Sequence, residues 1–226
     1  MGKFINILLN VLFPPRCAAC KREGDFLCKN CVQQFRIKPI KAKSLHPSSE
    51  DFEHLDGVIY GLDYAENPEM QAAISQFKYK FNRELAYYFA DLVCRKLKEL
   101  RMINGRRTSF IPVPLHKKRL NYRGFNQAQL IAEATAERFG EGAEVNNLLC
   151  RVKNTSQQAK LNKKERRLNL TEAFEVTGDL ESLSGKVCFL VDDVCTTGAT
   201  LDNCARVLKE NGIKKVYGLV VARAFK

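Results

Sequence analysis

The stretch Leu190–Thr200 reads Leu-Val-Asp-Asp-Val-Cys-Thr-Thr-Gly-Ala-Thr and decides the fold of this chain. It completes a run that begins at Gly185 (GKVCFLVDDV), and a helical pattern follows it from Thr200 to Asn211. A continuous apolar run of this length predicts a buried strand. Strand, short turn and helix in this order form the repeating unit of parallel α/β sheets.

The rest of the chain alternates in the same way, with apolar segments that predict strands and amphipathic segments that predict helices. The predicted strands are Gly57–Tyr64, Ser109–Leu115, part of Glu144–Val152, Phe174–Val176 and Lys215–Ala222, and the predicted helices are one from Pro68, Arg83–Leu100 and Gly124–Phe139. We therefore expect an α/β fold with a mainly parallel, twisted sheet flanked by helices and joined by right-handed crossovers.

The turn after Asp192 and Asp193 has the chemistry of a binding site for a phosphorylated sugar. Open α/β sheets bind ligands at the carboxyl ends of their strands, and a helix N-terminus there offers free N–H groups to a phosphate. Gly198 allows the backbone to approach the ligand. The two carboxylates suit sugar hydroxyls, or Mg²⁺ brought by a diphosphate. The alternative is an acidic strand end before an ordinary helix cap.

At these residues the sequence resembles the phosphoribosyl pyrophosphate (PRPP) motif of the type I phosphoribosyltransferases. The resemblance implies that Asp192 and Asp193 hold the ribose hydroxyls and that the following loop cradles the 5-phosphate. We interpret Cys195 as a spacer in that loop. The predicted loop residues are Cys195, Thr196, Thr197, Gly198, Ala199 and Thr200.

A basic segment follows the predicted strand Ser109–Leu115. Such a loop can bind the diphosphate half of PRPP, while Tyr122 and Phe125 can instead stack on bases; a solvated loop is the third alternative. The candidate anion-binding residues are His116, Lys117, Lys118, Arg119 and Arg123. A second basic segment, Asn154–Asn169, is either an active-site hood or a DNA-contacting arm, and the sequence does not separate the two.

The net charge of +12 is concentrated in three stretches. Met1–Lys43 contains nine basic and two acidic residues, Arg101–Arg123 seven basic and none acidic, and Arg151–Leu170 seven basic and one acidic. This pattern indicates a polyanionic partner, either a phosphate ligand or nucleic acid, or else solvated basic faces.

Four of the nine cysteines form two C-x-x-C pairs before residue 32. Two such pairs supply four thiolates for a closed, structural Zn²⁺ site, and a unit of this size needs the metal for its folding energy. Two disulfides are the alternative. The predicted ligands are Cys17, Cys20, Cys28 and Cys31.

A four-cysteine unit joined to a PRPP motif resembles the ComF-type competence proteins. The stretches that agree are Pro112–Leu115, Arg119 with Arg123–Gln127, and Thr155, Gln158, Leu161, Arg166 and Asn169. The resemblance implies a role in natural transformation, with incoming single-stranded DNA handled in the cytoplasm beside a competence helicase or ATPase.

We predict three regions: an N-terminal helix with the four-cysteine unit (1–34), a linker or hood segment (35–56) and a phosphoribosyltransferase-like domain (57–226). Asn6 and Asn10 interrupt the apolar start and Pro14 ends its helical pattern, which argues against a signal peptide. No run approaches the length of a membrane helix. We therefore expect a cytoplasmic protein without membrane insertion.

Two functions fit these features. The first is a PRPP- and Mg²⁺-binding protein of DNA uptake that handles single-stranded DNA, with its catalytic activity left open. The second is an active phosphoribosyltransferase that acts on a small nitrogenous acceptor and has no nucleic-acid role.

Overall fold

A computed structural model of the chain describes residues 14–37, 52–80, 82–102, 107–152 and 173–224. The predicted N-terminal helix, most of the 35–56 segment and the basic segment 154–169 lie outside these residues. None of the helices in the described ranges is both long and apolar enough to cross a membrane.

Five parallel strands form the central sheet, in the order β1-β7-β6-β2-β3. Their bounds are β1 Gly57–Asp63, β2 Thr108–Pro112, β3 Ala143–Val145, β6 Val187–Cys195 and β7 Val216–Arg223. β4 (Leu149–Arg151) and β5 (Phe174–Val176) pair antiparallel in a separate ribbon. The expected fold class is therefore confirmed, and the motif strand β6 lies between β7 and β2.

Helices cover both faces of the sheet. Their bounds are α1 Lys29–Gln33, α2 Pro68–Tyr79, α3 Leu85–Glu99, α4 Lys117–Arg123, α5 Gln127–Phe139 and α6 Ala199–Glu210, with a 3-10 turn at Leu180–Leu183. Gly61 of β1 faces Leu92 of α3, whereas Gly218 of β7 faces Leu201 of α6. Because Gly218 pairs with Val58, and strand side chains alternate, α3 and α6 lie on opposite faces.

Most elements lie within a few residues of their predicted positions, with three differences. The segment Glu144–Val152, predicted to include one strand, contributes to both β3 and β4, which lie in different sheets. The strand predicted over Ser109–Leu115 ends earlier, at Pro112, and the Val113 N–H makes one further ladder bond to the Val191 carbonyl over 2.9 Å. The residues predicted as a basic loop form helix α4, so that prediction of a loop is wrong. The His116 side chain accepts a hydrogen bond from the Lys118 N–H and caps this helix.

The four-cysteine unit is packed against α2 and α3. The Gln76 side-chain amide donates to the Ala18 carbonyl over 2.9 Å, and the Tyr88 hydroxyl donates to Asp25 over 3.3 Å. Ala18 and Leu27 are fully buried in the same apolar cluster as the sheet. The unit therefore shares its core with the α/β body.

Gly61 leaves no room for a side chain, so we expect Gly61→Ala to destabilise the fold. A Cβ there would lie 2.5 Å from Leu92 Cδ2 and 2.6 Å from the Val221 carbonyl oxygen, which cannot rotate away. We expect a loss of about 1–3 kcal/mol in the free energy of unfolding, or a fall of roughly 2–10 °C in Tm. Gly178→Ala is the control, because there a Cβ meets the mobile end of Leu148 and no backbone. Equal Tm values for the two variants would contradict the packing argument.

Candidate functional site

The strand β6 places the carboxylates of Asp192 and Asp193 at the carboxyl edge of the sheet, one on each face. Asp192 pairs with Val220 and Leu190 with Gly218, so Asp192 lies on the face that α6 covers. Asp193 follows it and points to the opposite face, where α2 approaches. The sequence prediction treated the two acids as equivalent, but strand alternation gives each its own surroundings.

Asp193 is buried and paired with Lys78. Its carboxylate lies 2.7 Å from the Lys78 ammonium, and the Asp193 side chain is only 8% exposed. Burial alone would lower the pKa of Lys78, but the charges of Asp193 and Asp192 raise it above its ordinary value. Lys78 is therefore a charged counter-ion of the site.

Asp192 is partly exposed and accepts a hydrogen bond from the Asp193 N–H over 2.8 Å. Burial of the carboxyl group and the negative charge of Asp193 raise the pKa of Asp192 to about 7, although Lys78 and Arg151 oppose this shift. Near neutral pH, Asp192 thus exists in both protonation states. It can accept or donate a hydrogen bond to a hydroxyl group of a ligand.

The loop that joins β6 to α6 presents small polar groups to solvent. Thr196 and Thr197 are exposed, and Gly198 occupies the N-cap position of α6 with φ 72°. That left-handed conformation favours glycine. The first N–H of the helix, that of Ala199, donates to the Thr197 hydroxyl over 3.4 Å, and helix N-termini in general favour anions.

Cys195 is buried at the start of this loop. Burial and the charge of Asp192 raise the pKa of its thiol to about 12. A thiol with so high a pKa is a poor nucleophile near neutral pH, which agrees with the interpretation of Cys195 as a spacer.

A segment from before β1 supports the loop from the side, and no pattern in the sequence indicates this contact. A Cβ on Gly198 would lie 1.8 Å from the ring of Phe52, so the ring covers the glycine directly. The Asp202 carboxylate, in the first turn of α6, accepts hydrogen bonds from the N–H groups of Glu53, His54 and Leu55 over 2.9–3.1 Å. These contacts fix the loop to residues nearly 150 positions away in the chain.

Part of the predicted basic segment does approach the carboxylates. Burial, and after it the charge of Arg119, lowers the pKa of Arg151 of β4. The Arg123 guanidinium lies over the Tyr79 ring, 5.3 Å from its centroid, and its charge acts on Lys78. The charges of Lys78 and Arg151 thus act on Asp192, whereas those of Arg119 and Arg123 act on Arg151 and Lys78 in turn.

The other members of that segment have different positions. Lys117 and Lys118 are exposed on α4, and His116 caps the helix. Phe125 is buried, and its ring lies 5.8 Å from that of Phe77. The suggestion that Phe125 stacks on bases is therefore wrong, because the ring belongs to the core.

Sequence reasoning missed Lys78 and Arg151. Lys78 stands in a run without acids, residues 70–83, which is a signal that could have been used. Arg151 ends a three-residue strand, and no local pattern relates it to Asp192.

The four cysteines of the N-terminal unit converge on one point. Their sulfur atoms all lie within 4.8 Å of one another, with Cys17–Cys31 at 3.8 Å and Cys20–Cys28 at 3.6 Å. Four sulfurs at about 2.3 Å from a tetrahedral Zn²⁺ are separated by about 3.8 Å, whereas a disulfide needs about 2.05 Å. All four are free thiols. The donor set therefore fits zinc and excludes the disulfide alternative.

The pKa of Cys17 agrees with this interpretation. Burial raises it, but the backbone N–H groups of Cys28, Cys20 and Ala19 outweigh burial and lower it to about 6, whereas burial and the neighbouring cysteines raise the pKa of Cys31. Backbone donors of this kind stabilise a thiolate, which is the form that binds a metal.

Two family models match the chain. A phosphoribosyl transferase domain matches residues 126–224, which include β6, the loop and α6. A double zinc ribbon domain matches residues 8–44, which include the four cysteines.

Several proteins have sequences similar to this chain. Competence protein F of Haemophilus influenzae is 30% identical over 93% of this chain and 85% of its own length. The DNA utilization protein YhgH of Salmonella typhimurium is 30% identical over 88% of the chain and 85% of its own length. Competence protein ComFC of Bacillus subtilis is 32% identical over 66% of the chain and 57% of its own length. Since the similarity spans the four-cysteine unit and the sheet, the chain belongs to the ComF-type family of competence proteins.

Proposed function

We propose that this chain binds PRPP with Mg²⁺ at the carboxyl edge of β6 and serves in DNA uptake, where it handles single-stranded DNA in the cytoplasm. The observation that carries the PRPP part is the junction of β6 and α6. There, two carboxylates, exposed threonines and a left-handed glycine at a helix N-terminus occupy eleven consecutive residues, Leu190–Thr200.

The N-terminus of α6 suits the 5-phosphate of PRPP. Its N–H groups and the hydroxyls of Thr196, Thr197 and Thr200 are donors, and phosphate oxygens are acceptors. Gly198 has no Cβ to block the approach. Phe52 and Asp202 hold the loop in place before the ligand arrives, which reduces the entropy cost of binding.

The carboxylates suit the ribose and the metal. Asp192, with its pKa raised to about 7, can hydrogen-bond a ribose hydroxyl in either protonation state. Mg²⁺ binds diphosphate and carboxylate oxygens. Arg119 and Arg151 then supply positive charge for the diphosphate, since Lys78 is already paired with Asp193. The same groups would favour departure of diphosphate in a transfer reaction, since they stabilise the charge that develops on it.

The names of the relatives support the DNA part. Competence protein F and the DNA utilization protein YhgH are similar to this chain over 85% of their own length. Exposed Lys117 and Lys118 of α4 add positive charge beyond the needs of one PRPP molecule, and a nucleic-acid backbone provides the anions for it.

Binding of PRPP should stabilise the folded protein. At PRPP and Mg²⁺ concentrations about 100 times the dissociation constant, we expect about 2.7 kcal/mol of stabilisation and a rise of roughly 5–10 °C in Tm. The Asp192→Asn/Asp193→Asn variant should lose the shift, because it cannot hold the ribose or the metal. The measurement is a thermal melt of each protein with and without ligand.

Asp91→Asn is the matched control for that melt. Asp91 pairs with Arg138 on the surface of α3, away from the loop, so this variant should keep the full ligand shift. A wild-type protein that shows no shift would contradict PRPP binding.

Single-stranded DNA should bind with an affinity that falls as salt rises. Each neutralised phosphate contributes about −0.7 to the slope of log K against log[salt], so we expect a slope of roughly −2 to −4 for three to five contacts. Fluorescence anisotropy with a labelled oligothymidine gives this slope. Asp192→Asn should bind at least as well as the wild type, since it loses a negative charge, and undetectable binding at low salt would rule out the DNA role.

Zinc should hold the four-cysteine unit and, through it, α2 and α3. We expect Cys17→Ser to lose about one equivalent of zinc and to unfold at a lower temperature, because the unit shares the main core. Cys150→Ser changes a partly exposed thiol outside the cluster and should keep its zinc. Metal content by mass spectrometry, measured beside the melts, distinguishes the two. Full zinc in Cys17→Ser would disprove the ligand assignment.

A further inference from the structure

Two separate segments of this chain contain basic residues and no acids. Residues 70–83 include Lys78, Lys80 and Arg83, and residues 114–132 include the basic residues of α4. Nothing in the sequence relates one segment to the other.

The fold joins these segments into one surface. The Arg123 guanidinium lies 5.3 Å from the centroid of the Tyr79 ring, and the Arg83 guanidinium lies 5.1 Å from that of Phe125. Beneath them, Phe77 and Phe125 pack ring against ring at 5.8 Å. The end of α2 and the turn between α4 and α5 are therefore in direct contact.

Aromatic side chains on this surface face solvent. Tyr79 is 58% exposed, although its neighbour Phe77 is fully buried, and Tyr122 of α4 is 76% exposed. Exposed aromatic rings between positive charges are typical of surfaces that bind single-stranded nucleic acid, because bases stack on the rings and phosphates pair with the cations.

The pair Tyr87 and Arg138 resembles the pair Tyr79 and Arg123 but differs from it in charge. Tyr87 is 42% exposed and lies under Arg138, 5.1 Å from its guanidinium, but Arg138 is also paired with Asp91. Arg123 instead donates to the neutral side chain of Gln127 over 3.1 Å, and no ion pair among the described residues includes it. The charge at Tyr79 is thus available to an anion, whereas that at Tyr87 is neutralised.

The position of Tyr79 places this surface at the proposed PRPP pocket. Lys78, the preceding residue, pairs with Asp193, and its pKa is influenced by Arg123. A strand held at Tyr79 and Arg123 would therefore lie next to the residue that neutralises Asp193.

We propose that Tyr79 and Arg123, with Lys80, Arg119 and Tyr122 around them, form the strand-binding surface of this protein, and that one base of single-stranded nucleic acid stacks on Tyr79. The proposal rests on the DNA role given above and assigns it to a specific surface. An acidic protein would need the cations but not the exposed rings, so nucleic acid fits the surface better.

The test is the binding of a labelled oligothymidine to the full-length protein, followed by fluorescence anisotropy over a range of salt concentrations. Tyr79→Ala should weaken binding by roughly 5- to 150-fold at fixed salt and leave the salt slope unchanged, since the ring carries no charge. Tyr79→Phe should bind like the wild type because it keeps the ring. Tyr87→Ala, the matched control, should stay within about twofold of the wild type.

Arg123→Gln provides the second measurement. It should reduce the magnitude of the salt slope by about 0.7, the contribution of one phosphate contact on a single strand. Arg138→Gln should leave the slope unchanged. Melts of each variant confirm that it is folded.

The outcomes separate the surface from the DNA role. One outcome would overturn this surface and leave DNA binding intact. In it, the wild type binds, Tyr79→Ala has the same affinity as Tyr87→Ala, and Arg123→Gln has the same salt slope as Arg138→Gln. In that case the cations of α4 fit an acidic protein instead. A wild-type protein that does not bind the oligonucleotide would overturn both proposals.

Discussion

Two consecutive carboxylates at the end of an interior strand set the main constraint on this structure. A buried carboxylate without a counter-charge costs several kcal/mol, and Asp193 is 8% exposed. Strand alternation separates it from Asp192, and Lys78 neutralises it over 2.7 Å. Because Lys78 lies in the last turn of α2, this ion pair requires α2 to dock at the edge of the sheet. Gln76 of the same turn then contacts the four-cysteine unit, so the charge at β6 and the zinc-ribbon unit depend on one helix.

The loop that joins β6 to α6 is held in place by the segment that precedes β1. Gly198 must be glycine for two independent reasons, its left-handed φ of 72° and the Phe52 ring that lies against it. The Asp202 carboxylate accepts hydrogen bonds from three N–H groups of the segment after Phe52. Asp56, at the end of the same segment, accepts a further hydrogen bond from the Val216 N–H over 2.7 Å. A carboxylate so near the proposed phosphate site would repel the ligand if it turned towards the loop. The three donors hold it away and offset its charge.

The sequence predicted what depends on local pattern. The period of apolar residues predicted the sheet, and the strand–turn–helix order predicted the loop at Thr196–Ala199. The C-x-x-C spacing predicted that four sulfur atoms converge, as they do in the structure. It failed where a residue acts through a distant partner. Lys78 is one lysine among many until α2 docks beside Asp193, and helix α4 was missed because its N-cap is His116, which is not among the usual capping residues.

The sequence is least informative about charge. A count of basic residues does not say which of them are already paired with acids. Arg138 pairs with Asp91, Lys186 with Glu144, and Lys209 with Asp56, and these ion pairs lie away from the loop after β6. Arg119 and Arg123 take part in no ion pair among the described residues, yet their charges act on Arg151 and Lys78 beside the two carboxylates. Together with Lys78, which is paired with Asp193, these cations outnumber the two carboxylates, and an anionic ligand between them lowers the repulsion among them. The unbalanced charge at the carboxyl edge of β6 is therefore a physical reason for this protein to bind an anion there.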